Sequence, residues 1–334
     1  SSTANWRRWV VENCIYGVDL NPLAVELAKL SLWILSMAKR QPLSFLNHHL
    51  KCGNSLVGTK LENVGNYPSE KVKKERNQPD LFLRDPDFRS AVDEVLSKNR
   101  MIVGKASSSL EDVYEKKEWL EEIDQLLNGY KTICDIHTNQ RFNNSFIDEV
   151  QYARIIQKKD FTLARSLTPE KCFHWELEFP FLLRKNGFNA VIGNPPYVQL
   201  QTMGNMADTL QGLDFETFAR TGDIYCLFYE QGVRLLRENG ILGLITSNKW
   251  MRAGYGEALR NFFAEKTNPS VLVDFSGQKI FESATVDVNI LIVEKARNKH
   301  MTKSCVITDL SSINNLSIFI EQHQTINAYK PKKS

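Results

Sequence analysis

Apolar and polar positions along this chain fall into blocks whose period changes from two-like to helical and back. Cys14–Leu20 (CIYGVDL) is a short run that predicts a buried strand. It leads into NPLAVELAKLSLWILSMAKR, where Leu23, Leu27, Leu30, Ile34 and Met37 recur at three- and four-residue spacing. That spacing predicts a helix with one apolar stripe for a sheet to cover. Asn21 suits the N-cap and Pro22 the first helical position. HHLKCGNSL predicts a second strand entering a Gly-Asn turn. From Lys60 to Ser166 the character changes. EKVKKERNQPD is charged and poor in apolar residues, and the stretches after it combine helical periodicity with many surface charges. This predicts a helical insertion with loose connections. After Phe188 the alternation resumes: NAVIGN as a strand, a helix from Asp223 stopped at Gly240, ILGLITS as a strand and GYGEALRNFFAEK as a helix. SVLVDFS and VDVNILIVEK are strands without an obvious helix between them, which suits an antiparallel pair.

Strand–helix–strand repetition predicts an α/β fold, a mostly parallel sheet with helices on both faces. In such sheets ligands sit at the carboxyl ends of strands. Asp19, Asn54 and Asn194 each close a predicted strand, so three polar side chains are expected at one end of the sheet.

Composition narrows the class. With 334 residues, 42% of them hydrophobic, the chain can bury a substantial core. Its 42 Lys and Arg against 39 Asp and Glu leave a net charge of +3, too mild to announce nucleic acid by itself. The six cysteines form no CxxC pair, which argues against a metal site or a disulfide framework and suits reduced thiols in the cytosol. No apolar run approaches the ~18 residues of a membrane span.

The chemistry concentrates in FNAVIGNPPYVQL. Two prolines leaving a strand fix the backbone and remove two amide donors, so nearby carbonyls are free to accept. Asn194 adds a side-chain carbonyl and Tyr197 a flat π-face. Two acceptors and a ring suit a planar amine such as the exocyclic amino group of a nucleobase. Holding both amine hydrogens returns electron density to the nitrogen, and the aromatic face favours the positive charge that develops on alkylation. On the tetrapeptide alone a rigid turn is an equally good explanation. The polar residues closing the other strands tip the balance toward a site.

These residues resemble a known family. IYGVDLNPLAVELAKLSLWI, KCGNSLVG, FHWELEFPFLL, GFNAVIGNPPYV, ILGLITSNKWM and IFESATVDVNILIVEK, in that order, resemble the adenine-specific DNA methyltransferase region of type IIG restriction–modification enzymes. The resemblance covers Cys14–Gly58 and about Phe173–Lys295. It implies a Rossmann-like S-adenosylmethionine-dependent methyltransferase sheet, present in part, with a helical insertion. Residue by residue it implies that Asp19 holds the ribose hydroxyls of S-adenosylmethionine and that Leu20 packs on the cofactor's adenine. Asn54 stands at a position that is usually aspartate in the family, facing the cofactor's adenine amino group. Asn194 and the Pro195 carbonyl are implied to hold the target amine, beside Pro196, while Tyr197 stacks on the target base. Phe281 matches a second aromatic against that base, and an ordinary core phenylalanine explains it equally well. The implied substrate is double-stranded DNA with the adenine flipped out, and no metal is required.

The family's glycine-rich cofactor loop matches nothing in this chain, and no target-recognition domain or nuclease motif is visible. The expectation is a catalytic part of a longer polypeptide in a prokaryotic cytoplasm, inactive and poor at binding cofactor when isolated, that works with the parent's remaining domains. Its expected organisation is 1–59 for the cofactor side of the core, 60–166 for the helical insertion, 167–310 for the catalytic side and 311–334 for a tail. The same motif chemistry on RNA or on protein glutamine, or a non-catalytic assembly or DNA-binding module, stays open from the residues.

Overall fold

Three successive strands of the C-terminal half run in one direction because helices carry the chain back between them, and this sets where the site lies. The computed structural model describes residues 2–36, 45–68, 84–143, 146–167, 169–184, 187–281, 287–311 and 313–328. The chain divides into two compact units, Ser1–Lys185 and Asn186–Ser334.

In the first unit α1 (Ser2–Cys14) precedes β1 (Gly17–Asp19), α2 (Pro22–Ser36) and β2 (Leu50–Cys52). β1 and β2 pair in parallel, Gly17 opposite Leu50 and Asp19 opposite Cys52, with α2 as the crossover. As expected, Asn21 caps α2, its Oδ1 accepting from Leu23 N at 2.9 Å. The expected burial of its stripe is corrected. Leu23, Leu27, Leu30 and Ile34 are all more than 40% exposed, whereas Val25 joins Val11, Leu46 and Leu50 in a small core with Ala28 and Leu32. Two short strands cover only one flank of a fifteen-residue helix. Met37 lies outside the described residues. His48 and His49 sit in a turn ahead of β2 rather than in it.

The chain continues through α3 (Leu61–Val64), α4 (Pro86–Gly104), α5 (Leu110–Phe142), α6 (Glu149–Lys158), α7 (Phe161–Ser166) and α8 (Trp175–Glu178). Their starts are chemically marked. Asp85 accepts from Phe88 N ahead of Pro86, Ser109 and Asp112 form a reciprocal capping box, and Asp148 and Asp160 cap α6 and α7. α5 spans 33 residues, about 50 Å at ~1.5 Å per residue. Its second half carries most of the buried positions. The described residues of 60–166 contain helices and no strand. Their core of Phe88, Val95, Ile102, Ile123, Leu127 and Ile133 also takes in Phe45 and Leu177 from either side of that stretch.

The second unit holds β3 (Phe188–Gly193), α9 (Asn205–Gln211), α10 (Tyr225–Leu235), β4 (Leu236–Ser247), α11 (Glu257–Lys266), β5 (Asn268–Asp274), β6 (Val288–Glu294), β7 (Met301–Val306), α12 (Leu316–His323) and β8 (Thr325–Ala328). The strand order is β3-β4-β6-β5-β7-β8. β3 and β4 pair in parallel across α10, and β5 runs the same way as β4 after α11. The mostly parallel expectation needs correcting here. β6 enters antiparallel between β4 and β5, so the sheet is mixed, and SVLVDFS and VDVNILIVEK do form the antiparallel pair. Antiparallel neighbours need no helical crossover, which is why the sequence between β5 and β6 lacks one. A second difference lies at the end of α10. The helix stops at Leu235, and Arg237–Gly240 bulge within β4, with Asn239 at φ +60° and its N–H donating to Lys295 O.

Tyr225, Tyr229, Trp250, Phe262 and Phe263 from one face pack on Leu242, Leu244, Leu291 and Val293 of the sheet. Val273, Phe275, Val288 and Cys305 form a second core with Phe319 and Ile320. β3 is an edge strand, with Ile192 86% exposed.

Candidate active site

β3, β4 and β5 share a direction, so the residues just beyond their carboxyl ends, Asn194, Asn248 and Phe275, lie at the same end of the sheet. Asn248 Nδ2 donates to Asp274 Oδ1 at 3.1 Å, and Asn248 N donates to the Asp287 carbonyl at 3.0 Å. This closes the end of the sheet beside the motif.

Asn194 comes directly after β3 and is exposed, Pro195 is buried, Pro196 is exposed and Tyr197 is half-buried. The diproline ends the strand because neither ring nitrogen can donate to a ladder. Tyr197 turns its hydroxyl back over the motif. That single O–H is placed between two acceptors, Asn194 Oδ1 at 3.1 Å and the Ile245 carbonyl at 3.3 Å. Burial pushes the phenol above its ordinary range, which keeps it neutral. Among the described residues no hydrogen bond reaches the Pro195 carbonyl. The motif therefore presents an amide oxygen, an unused carbonyl and one aromatic face. Phe281 comes beside it, its ring 6.4 Å from that of Tyr197 at 54°, and also packs on the second core. The structure thus brings Asn194, Pro195, Pro196, Tyr197 and Phe281 into one neighbourhood.

Asp19, Leu20 and Asn54 belong to the other unit. Asp19 closes β1 and is exposed. Its Oδ1 accepts from Asn21 N at 2.7 Å, and its backbone carbonyl accepts from Gly53 N at 2.9 Å. Among the described residues its second carboxylate oxygen takes no hydrogen bond. Leu20 beside it is 68% exposed. Asn54 lies two residues beyond β2, where its Oδ1 accepts from Leu56 N at 3.1 Å. One uncommitted carboxylate oxygen, one bare aliphatic side chain and one amide suit a nucleoside's diol, ring face and ring edge.

Sequence reasoning missed the support behind Tyr197. Tyr225, fully buried, packs near-perpendicular to the Tyr197 ring, centroids 6.4 Å apart at 84°. Its hydroxyl lies 2.9 Å from that of Tyr255, which donates to Asp223 Oδ2 at 2.9 Å. The available signal was Gly222-Asp223-Ile224-Tyr225 at a helix start, which reads equally well as ordinary capping. No group of three or more metal-ligating side chains occurs among the described residues. No described helix is long and apolar enough to cross a membrane.

A strand that ends in a proline-fixed amide and a phenol, within an α/β sheet, offers acceptors and an aromatic face of the kind that suits a planar amine. The chain belongs to the Eco57I restriction-modification methylase family, which matches residues 13–281. It is 26% identical over 325 residues to the RM.MjaORFECS2P protein of Methanocaldococcus jannaschii, covering 86% of this chain and 26% of that one. It is 26% identical over 172 residues to the type II restriction enzyme and methyltransferase RM.Eco57I of Escherichia coli, covering 50% of this chain and 15% of that one. The chain therefore spans about a quarter or less of the length of these relatives. Among solved structures, the type I restriction-modification methyltransferase subunit from Streptococcus thermophilus aligns with a TM-score of 0.37 and 13% identity, over 75% of this chain and 71% of that one.

Proposed function

We propose that this chain is the catalytic part of a restriction–modification methyltransferase that methylates the exocyclic amino group of adenine in double-stranded DNA. The observation that carries the reading is the pairing of an exposed Asn194 Oδ1 with a Pro195 carbonyl that no described residue occupies, both beside the Tyr197 ring. S-adenosylmethionine, when bound, supplies an electrophilic methyl group. Asp19, Leu20 and Asn54 are the residues that would hold its adenosine part.

The remaining steps belong to the chain's own groups. The adenine leaves the duplex at a cost of a few kcal/mol in lost stacking. Its ring is received on Tyr197, with Phe281 as the second aromatic wall. Asn194 Oδ1 and the Pro195 carbonyl each accept one amine hydrogen, which orients the nitrogen lone pair and enriches its electron density. The Tyr197 hydroxyl then rests on the Ile245 carbonyl, its alternative acceptor, and leaves Asn194 Oδ1 for the amine. The diproline holds these acceptors without backbone donors that would compete for them. No covalent enzyme intermediate is needed.

On this reading the protein works in the prokaryotic cytoplasm as part of a longer polypeptide. We assign the stretch 60–166 to contacts with DNA or with the parent's other domains. The isolated chain binds the cofactor weakly and is inactive, because no glycine-rich turn among these residues holds the methionine end. Tritiated methyl transfer by the full-length polypeptide to duplex DNA, RNA and protein tests the reading. Label in N6-methyladenine of DNA supports it. Label confined to RNA or glutamine, or none at all, overturns it.

A further inference from the structure

Resting on the reading of Tyr197 as the platform for the target base, we propose that Asp223, acting through Tyr255 and Tyr225, is a positioning residue that sets the tilt of the Tyr197 ring. The direction of the hydrogen-bond chain is set by its end. Tyr255 donates its one hydroxyl hydrogen to Asp223 Oδ2 at 2.9 Å, so its oxygen is left to accept from Tyr225 at 2.9 Å. Tyr225 is thereby held at its tip, and its ring stands at 84° to the Tyr197 ring with the centroids 6.4 Å apart. Burial raises both supporting phenols well above their ordinary range, so they remain donors.

The backbone adds a clamp. Ile224 N donates to the Val198 carbonyl at 2.9 Å, and Leu200 N donates to the Gly222 carbonyl at 2.8 Å, tying the segment after Tyr197 to the turn that bears Asp223. A Cβ at Gly222 would stand 3.1 Å from the Tyr255 ring and 3.0 Å from the Ala219 carbonyl, so a glycine there lets Tyr255 close on the turn. Asp223 is 8% exposed and has no ion pair among the described residues. A buried carboxylate without a counter-charge is costly. Phenylalanines at 225 and 255 would fill the same space without it. What the carboxylate adds is a fixed length and direction for the chain behind Tyr197, whose own hydroxyl is held at the opposite end by Asn194 and Ile245.

The test uses the full-length polypeptide on an adenine-containing duplex, and on the same duplex with 2-aminopurine at the target position. Tyr255→Phe keeps the ring and breaks the chain at its middle. It removes both bonds of the Tyr255 hydroxyl and is expected to raise KM for DNA about fivefold or more, the effect of at least one net hydrogen bond, to leave KM for the cofactor unchanged, and to alter the quenching of the extruded 2-aminopurine. Asp223→Asn retains an acceptor oxygen and is expected to stay within about twofold of wild type by the same reckoning. Thr217→Val, which breaks a buried bond to Glu230 on the far side of α10, serves as a stability control and leaves both KM values unchanged. Tyr255→Phe with wild-type KM values and fluorescence overturns the positioning role alone. A wild-type protein that methylates no adenine overturns the underlying reading, and this inference with it.

Discussion

Asp135 on α5 offers the sharpest test of how the helical stretch supports the segment beyond it. One oxygen, Oδ1, accepts from Cys172 N at 2.8 Å and from His174 Nε2 at 2.9 Å. His174 in turn accepts at Nδ1 from Thr59 N at 3.2 Å, which fixes the ring as the Nε2–H tautomer. His174 is 2% exposed, so water cannot replace a lost partner. Asp135→Ala strands two donors, each costing about 1–3 kcal/mol, and should destabilise the chain by about 2–6 kcal/mol. Asp135→Asn keeps Oδ1 in place and forfeits only charge assistance, about 1 kcal/mol. Urea unfolding followed by far-UV circular dichroism measures both, and amide exchange at Cys172 and Thr59 reads the effect locally. Alanine and asparagine variants of equal stability, or unchanged protection at both amides, would refute the role assigned to Asp135.

Three further predictions concern the folded state and the cofactor. Glu230 is fully buried, accepting from Glu216 N, Thr217 N and Thr217 Oγ1 and pairing with Arg234, so Glu230→Ala should cost about 3–5 kcal/mol in a thermal or chemical melt, and a loss below about 1 kcal/mol would contradict it. Burial holds His137 down to about 3, His49 down to about 4 and His48 well below its ordinary range. Each is neutral when folded and protonates in the unfolded chain near pH ~6.5, so stability is full above that value and falls as pH drops toward 4. Melting temperatures at pH 7.5 and 5 should therefore differ, less so in His137→Leu, and a flat profile would count against the burial. The 334-residue chain by itself should bind S-adenosylmethionine only in the millimolar range by titration calorimetry, whereas micromolar binding would mean that the cofactor site is misplaced.

The sequence made the site more legible than the sheet. Asn194 to Tyr197 could be found because prolines after an apolar run are locally incompatible with a continuing strand, and that incompatibility is written in four residues. Asp19 and Asn21-Pro22 were readable for the same reason, since strand end, cap and helix start are local events. The position of β6 was not readable. Its insertion between β4 and β5 is a long-range choice, and a near-continuous apolar run such as VNILIVE suits any slot in a buried sheet. The stripe on α2 misled because periodicity shows which side is apolar and not what covers it. Leu23, Leu27 and Leu30 stay exposed while the neighbouring Val25 is buried. The Asp223–Tyr255–Tyr225 chain was out of reach because its members lie up to 32 residues apart and meet only through the packing of α10 against the turn ahead of α11.

The central claim is that Asn194 polarises the amine that accepts the methyl group. It is tested most directly by single-turnover methyl transfer to an adenine-containing duplex, comparing the full-length wild type with Asn194→Ala. Asn194 is exposed, and its Oδ1 accepts from the Tyr197 hydroxyl, which retains the Ile245 carbonyl when the amide is removed. The substitution should therefore leave folding and DNA affinity intact while the transfer rate falls by about a hundredfold or more, the scale on which removing one preorganised transition-state contact is felt. An alanine variant that binds DNA normally and transfers methyl groups at nearly the wild-type rate would contradict the account.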